Sequence, residues 1–386
     1  MRNSLTVGYD SFIDRFTILE EDTVETLEEF YTGILNHLAH QRNTLHIELR
    51  NNFKYGNQTV DENLEGAFSI GSRRSTRLDL RSNLHFKHFR TGSDYTFGND
   101  YLQSNTVLML KRRLTTNFRL NIKNRFEIID YDKKTDFDYD YTYIETGLEL
   151  ETGSYFERFV RLGAVVGFKE VPDTTALSYR RTVADLEALL TPADNALLHA
   201  TVIGDRRDYR KAIKISYWDL AVFLDLTISS LKGRSYSLKA EAEFTLYDST
   251  TTTYFDTQFL RGSVKAKFPV LKNISVSFEP RIAVMLCRDF EEERYREASL
   301  VLGLDILGNE DFWVTFSYEP GYRNYILTEN DLYSDFYLNR LSLMGTVEIP
   351  HGTSLNLFVT HDPERHTRRV DNFSITLISV ALTKRF

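Results

Sequence analysis

The sequence predicts an all-β fold, a closed antiparallel up-and-down transmembrane β-barrel of about 20 strands (roughly 16 to 22) spanning residues 1–386 as a single domain, on three observations. Apolar and polar residues alternate with a period of two along most of the chain. The alternating runs last about 10 to 15 residues, beyond the five or six usual for a soluble sandwich strand and enough to cross a bilayer at a tilt. The breaks between runs alternate in length, a tight turn followed by a longer polar connection.

The alternation begins near Leu5. The stretch TLEEFYTGILNHLAH (26–40) also has helical spacing, with Leu27, Phe30, Tyr31, Ile34 and Leu38 on one helical face. It falls where the rhythm requires a strand and is assigned as one, as is TVADLEALLTPADNALL (182–198). TLHIELRNNFKY (44–55) alternates clearly. TRLDLRSNLHFKH (76–88) sets Leu78, Leu80, Leu84 and Phe86 against Arg77, Asp79, Arg81, Asn83, His85 and Lys87. NFRLNIKNRFEI (117–128) sets Phe118, Leu120, Ile122, Phe126 and Ile128 against Arg119, Lys123, Arg125 and Glu127. The runs 236–246, 263–268, 274–284 and 298–306 repeat the pattern.

Short breaks fall at 40–43, 72–75, 113–116, 152–155, 191–195, 231–234, 271–273, 307–311 and 350–353. Between them lie longer Asp- and Tyr-rich connections at 18–25, 56–63, 89–100, 130–140, 170–179, 204–211, 247–257, 287–297, 321–335 and 360–372. The repeat of about 39 residues excludes a propeller, whose blade would fit four short strands into that length. It also excludes a helical solenoid, which needs 3.6-residue spacing throughout.

Composition removes several function classes. A net charge of −8 offers no basic field for nucleic acid. Cys287 is the only cysteine, so a disulfide within the chain, a cysteine zinc site and an iron–sulfur cluster are all excluded. No run of 18 apolar residues exists to form a membrane helix. The mean hydropathy of −0.35 is no argument against a barrel, where only alternate residues meet lipid.

The last eight residues, SVALTKRF (379–386), close the chain on Phe386, with Ile378, Val380 and Leu382 alternating behind it. A terminal strand of this kind resembles those of Gram-negative outer-membrane β-barrels, the porin-like proteins among them. It departs from their pattern at Lys384, where a second aromatic is preferred. The resemblance is architectural and extends over residues 4–386. It implies the bacterial outer membrane as location, with outer-membrane lipid and lipopolysaccharide as surroundings. It also implies that the barrel-assembly machinery reads Phe386 as its signal. The opening MRNSLTVGYDSF lacks the apolar core of a signal peptide, so a processed or trimmed start is expected. TonB-dependent transporters carry an N-terminal plug domain; the alternation here starts almost at once, so no plug is expected in this sequence.

The polar strand face holds the candidate site. Arg50, Arg77, Asp79, Arg81, Arg119, Lys123, Arg125, Glu127, Lys239, Glu241, Glu243, Lys265, Lys267, Glu279 and Arg281 are the candidate pore lining, with Glu48, Lys54, Lys87 and Asp305 on the same face. In lipid each charge would cost about 2–4 kcal/mol at the midplane, so the face must turn to a wet or mutually paired interior. A barrel of about 20 strands is about 40 Å across and cannot be filled by its own side chains. The expected function is a porin-like channel for small polar solutes, with no cofactor and no enzymatic activity. The alternatives are a non-conducting structural or adhesion barrel, closed by an infolded connection, and a soluble all-β binding protein. His361, Asp362, Glu364 and His366 are weighed as metal ligands, and Asp130, Asp132, Asp136, Asp138 and Asp140 as a cation site. Both are read as solvated external loops. A hydrolase would need a Ser and an acid beside a rim histidine, with His85, His88 and His361 as candidates.

Overall fold

The computed structural model describes the chain apart from residues 1, 19–20, 43, 73–74, 91–98, 134–137, 155–157, 212–214, 231, 252, 309–311 and 328–331, and gives the backbone alone for 2, 14–18, 21–27 and 154. Twenty strands follow one another: β1 (Arg2–Ile18), β2 (Glu21–Arg42), β3 (Leu45–Gly56), β4 (Thr59–Gly71), β5 (Thr76–Phe89), β6 (Tyr101–Arg113), β7 (Phe118–Tyr131), β8 (Tyr141–Ser154), β9 (Arg158–Glu170) and β10 (Tyr179–Ala193). They continue with β11 (Ala196–Tyr209), β12 (Tyr217–Ser229), β13 (Ser235–Tyr247), β14 (Thr257–Leu271), β15 (Ile274–Cys287), β16 (Tyr295–Leu307), β17 (Phe312–Tyr325), β18 (Phe336–Ile349), β19 (Thr353–His366) and β20 (Phe373–Arg385). Both helix-like stretches are strand: 26–40 lies within β2, and 182–198 forms the β10–β11 hairpin. A partner strand on each side satisfies the backbone there and overrides the local spacing.

Every strand pairs antiparallel with its sequence neighbours, and β1 pairs with β20 from Ser4 opposite Arg385 to Phe16 opposite Phe373. Leu5 faces Lys384 across this seam, and the Phe386 N–H donates to the Asn3 carbonyl (2.9 Å). Closure leaves no edge strand to aggregate. Following the pairing once around the sheet returns to β1 displaced by about 24 residues; for 20 strands that shear sets a tilt and a backbone diameter of about 40° and about 40 Å.

Each of the nine short breaks coincides with the end of one strand and the start of the next, although the ladder runs further into some than expected: 40–42 belong to β2, 152–154 to β8 and 191–193 to β10. In the last of them, a three-residue turn over 350–352, His351 and Gly352 both take positive φ (71° and 72°), the left-handed backbone of a tight hairpin. At Gly71 (φ 111°) a Cβ would lie 2.2 Å from the Thr76 carbonyl oxygen, so the β4–β5 turn requires glycine.

The connections on the other side are shorter than expected. Residues 59–63 belong to β4, leaving Asn57 and Gln58 as a two-residue turn, and residues 21–25 belong to β2. The stretches 204–209, 321–325 and 360–366 are likewise strand. Both strand faces turn polar above the bilayer, so alternation fades there while the hydrogen-bond ladder continues.

The molecule has a wall rather than a central core. The outward face is apolar, with Val7, Leu162, Leu238 and Val264 each more than half exposed. Exposed Phe118, Tyr236 and Phe312 mark the outward face near the short turns, and Tyr55, Phe86, Trp218 and Tyr337 mark it toward the loops. Two such girdles flanking an apolar band fit a bilayer. On the same face Leu80, Phe118, Leu238, Val276, Phe278 and Leu302 are exposed, and Leu78, Leu120, Ile122 and Leu300 are half-buried among their neighbours.

Candidate pore lining and external mouth

Strand parity decides where each charge points. All fifteen candidates lie on the face opposite the apolar band, toward the barrel interior, and most are tied to a neighbouring strand. Arg77 (2.5 Å) and Lys111 (3.2 Å) hold Asp79, whose side chain is 10% exposed. Arg119 pairs with Glu151 (3.3 Å), Lys123 approaches Glu145 (3.9 Å) and Arg125 bridges to Glu127 (2.5 Å). Glu127 also accepts from Gln103 and from the Tyr141 hydroxyl, both at 2.8 Å. Lys239 lies 3.6 Å from Asp225, and Arg261 lies 3.3 Å from Glu241. Lys267 reaches Asp305 (2.6 Å), while Arg281 sits between Glu279 (2.9 Å) and Glu319 (3.3 Å) with Lys265 at 3.8 Å from Glu279. Glu243 sits two residues from Glu241 on the same face.

Arg50 and Arg81 differ. Both are exposed to the interior and make no ion pair among the described residues. They line a recess of about 440 Å³ with Glu65, Asn83 and Asn105. Around the wall, β3 to β7 carry mostly Arg and Lys inward, whereas β8 to β13 carry Glu145, Glu149, Glu151, Asp185, Glu187, Asp205, Asp219, Asp225, Glu241 and Glu243. The interior is therefore basic along one arc and acidic along the next.

The loop-side mouth has a repeated construction that sequence reasoning missed. Nine tyrosines occupy the first or last position of a strand: Tyr101, Tyr131, Tyr141, Tyr179, Tyr209, Tyr217, Tyr247, Tyr295 and Tyr325. Phe336, His366 and Phe373 continue the series on β18, β19 and β20. All share the inward parity. Tyr101–Tyr131, Tyr179–Tyr209, Tyr217–Tyr247 and Tyr295–Tyr325 are direct cross-strand pairs with ring centroids 5.3–5.9 Å apart. Cations lie over the rings: Lys169 is 3.9 Å from the Tyr141 centroid, Arg323 is 4.1 Å from Tyr295, and Arg207 is 5.5 Å from both Tyr179 and Tyr217.

The residue before the incoming strand caps the outgoing one. Asp100, Asp140, Ser178, Ser216, Asp256, Asp335 and Asn372 accept the backbone N–H of Phe89, Tyr131, Val171, Tyr209, Tyr247, Tyr325 and His366, at 2.7–3.0 Å. The signal in sequence was a short polar residue followed by Tyr or Phe, before β6, β8, β10, β12, β18 and β20; Asp256 is followed instead by Thr257, and Tyr295 by contrast follows Arg294.

The two clusters expected to be solvated external loops are placed differently. Asp140 caps Tyr131 and Asp138 accepts from Asn99 (3.3 Å), while Asp136 lies outside the described residues. His361 and His366 sit on β19, not in a loop, and their odd separation turns them to opposite faces. His361 bonds Thr376 (2.8 Å) on the outward face, whereas Asp362 turns inward to Arg340 (3.0 Å). Among the described residues no group of three His, Cys, Asp or Glu is placed to hold a metal.

The rim histidines are also otherwise engaged. His85 bonds Asp61 (3.0 Å) and the Tyr101 hydroxyl (3.2 Å), and His88 bonds Asp100. Among the described residues one Ser–His–acid contact is found, Ser334 to His366 Nδ1 (3.1 Å) with Glu364 at 3.4 Å from Nε2. Ser334 is buried, and its hydroxyl donates to Asp371 (2.5 Å), so it presents no nucleophile to solvent. Cys287 is buried as well.

No family model matches the chain, and no curated protein matches it in sequence. Solved structures do. The alcaligin outer-membrane receptor FauA of Bordetella pertussis aligns with a TM-score of 0.60 at 11% identity, covering 98% of this chain and 76% of the receptor. The siderophore receptor PirA of Pseudomonas aeruginosa aligns at 0.56 and 9% identity, covering 100% and 80%. The outer-membrane protein OpdK of the same organism aligns at 0.50 and 10% identity, covering 100% and 99%. The chain thus has the fold of the Gram-negative outer-membrane β-barrels, and its outward apolar band fits that membrane.

Proposed function

We propose that this protein is an outer-membrane channel that passes small polar solutes by diffusion through an interior of mixed charge. The observation that carries this reading is the bore: a 20-stranded ring about 40 Å across at the backbone, whose substantial strand contacts are all between sheet neighbours. The longest connection, residues 90–100, doubled back on itself, reaches about 15–20 Å. That reach is shorter than the width of the ring. Adjacent basic and acidic arcs impose a transverse field that favours hydrated zwitterionic or modestly charged solutes. The fifteen inward charges line the path, and Phe386, 76% exposed, is available to the assembly machinery.

The higher scores against two receptors, with the tyrosine mouth, favour a second reading in which a larger ligand is captured externally before uptake. Planar bilayer recording separates the two. Purified protein giving stable open steps supports the channel; a silent bilayer containing folded barrel removes it and leaves the receptor reading.

A further inference from the structure

The loop-side end of the outward face changes sign around the barrel. On β2 to β11 acids stand among the cations: Glu28, Glu62, Asp130 and Glu170 point outward, and Asp208 lies opposite Arg180 and bonds Arg206 (2.6 Å). From β14 to β20 the outward strand positions hold no Asp or Glu, and the cations toward the loops are Arg296 and Arg365. Both are exposed, and neither makes an ion pair or a side-chain hydrogen bond among the described residues.

The two arginines share one level. Each stands one residue toward the membrane from the mouth ring, beside Tyr295 and His366, and is directly opposite Asn324 on β17 or Tyr337 on β18. Three strand spacings, about 15 Å, separate them. The nearby Asp335 is met by three donors of its own, the Tyr325 N–H, the Tyr322 hydroxyl and the Asn324 amide, and by neither arginine. Deeper on the same wall Tyr318 donates to Asn339 (3.0 Å) and His361 bonds Thr376 (2.8 Å), so the surface stays polar below the arginines before the apolar band begins.

A guanidinium at the edge of lipid costs free energy unless an anion meets it, and the anions at that level are head-group phosphates. We propose that the outward rim of β16–β19 binds the phosphorylated head group of an outer-leaflet glycolipid. Guanidinium presents a fork of N–H donors that matches phosphate oxygens, and two long side chains turned toward each other close most of the gap between Arg296 and Arg365. Tyr337, 59% exposed, and the polar groups beneath it face the sugar, while the acyl chains run down past Leu300 and Leu302. The acids on β2 to β11 repel the same phosphate unless a divalent cation bridges them, so binding without such a cation is confined to this arc. The site lies on the outer wall and is independent of conduction through the bore.

Native mass spectrometry of the detergent-purified barrel tests this, with diphosphoryl lipid A and its dephosphorylated form as probes and EDTA present throughout. Wild type is expected to retain the phosphorylated lipid and to hold the dephosphorylated form several-fold less. Combining Arg296→Gln and Arg365→Gln is expected to lower retention several-fold, with the folded band in unheated gels unchanged. Arg112→Gln, at an exposed outward arginine on the short-turn end of β6, is expected to leave retention as in wild type. No retention by wild type, undiminished retention in the double variant, equal loss at Arg112→Gln, or equal retention of the dephosphorylated lipid overturns the proposal. Displacement by an equal concentration of inorganic phosphate overturns the lipid as occupant.

Discussion

Replacing Arg50 and Arg81 together by glutamate tests the channel at its most accessible charges. Both side chains are exposed to the interior and unpaired among the described residues, so no ion pair is broken, unlike Arg119 and Arg125, which hold Glu151 and Glu127. The double variant changes the wall by about four charges. A unit charge about 8 Å from an ion in water contributes about 0.5 kcal/mol, reduced to about 0.2 kcal/mol at physiological ionic strength. Four such charges give about 0.8 kcal/mol, roughly a fourfold local change for cations and the inverse for anions. Averaged over a wide bore, the cation-to-anion permeability ratio is expected to rise about 2- to 5-fold. The assay is reversal potential under a salt gradient in a planar bilayer. At about 1 M salt the screening length falls to about 3 Å and the shift is expected to vanish. An unchanged ratio at low salt, from a variant with wild-type unitary steps, would refute the reasoning, because current would then bypass the β3–β5 arc.

Four further outcomes follow from the wall and the mouth. Arg281→Met strands Glu279 and Glu319 beside each other and is expected to cost about 2–4 kcal/mol, reduced from a fully buried pair because Arg281 is 36% exposed; urea unfolding in detergent reads it. Asp335→Ala removes the acceptor for the Tyr325 N–H, the Tyr322 hydroxyl and the Asn324 amide, with an expected loss of about 1–3 kcal/mol, and Asp335→Asn is expected to recover part of it by the same measurement. Arg206 grips Asp248 through both terminal guanidinium nitrogens and holds that carboxyl below its ordinary range. The clamp is therefore expected to protect the connection after β13 from protease from neutral pH to about 4, and to fail only as pH falls further, through the depressed value. Deleting Phe386, which contributes one backbone hydrogen bond to Asn3, is expected to leave refolded barrel as stable as wild type in vitro while lowering the folded fraction in cells. Equal yields in cells would overturn the proposal that Phe386 is read during assembly.

The architecture was legible because membrane strands obey one strict rule over a long distance. Leu78 and Leu80 against Arg77, Asp79 and Arg81 leave no other face assignment, and a run of that length outlasts any soluble strand. The tight turns were legible for the same reason, since alternation stops on both sides within a few residues. The β2 segment shows where the rule weakens. Its Leu27, Phe30, Tyr31, Ile34 and Leu38 fit a helix as well as a strand, and only the spacing of the whole chain decided between them.

The mouth was illegible because its residues serve two purposes at once. Asp100, Asp140, Asp256 and Asp335 look like solvated or cation-binding loop residues, since an acidic side chain among polar neighbours has no periodicity to betray it. Their role comes from register: each follows a turn that returns the chain beside the last N–H of the outgoing strand, so a short acceptor in that position completes the ladder above the bilayer. The next residue then points inward, and where it is aromatic, as at Tyr101, it meets its counterpart across the strand pair. Tyr217 and Tyr247 are 30 positions apart in sequence yet 5.3 Å apart in space, a relation that exists only once the hairpin is closed. Sequence shows the two residue types recurring, but the pairing that turns them into a capped aromatic rim belongs to the closed sheet.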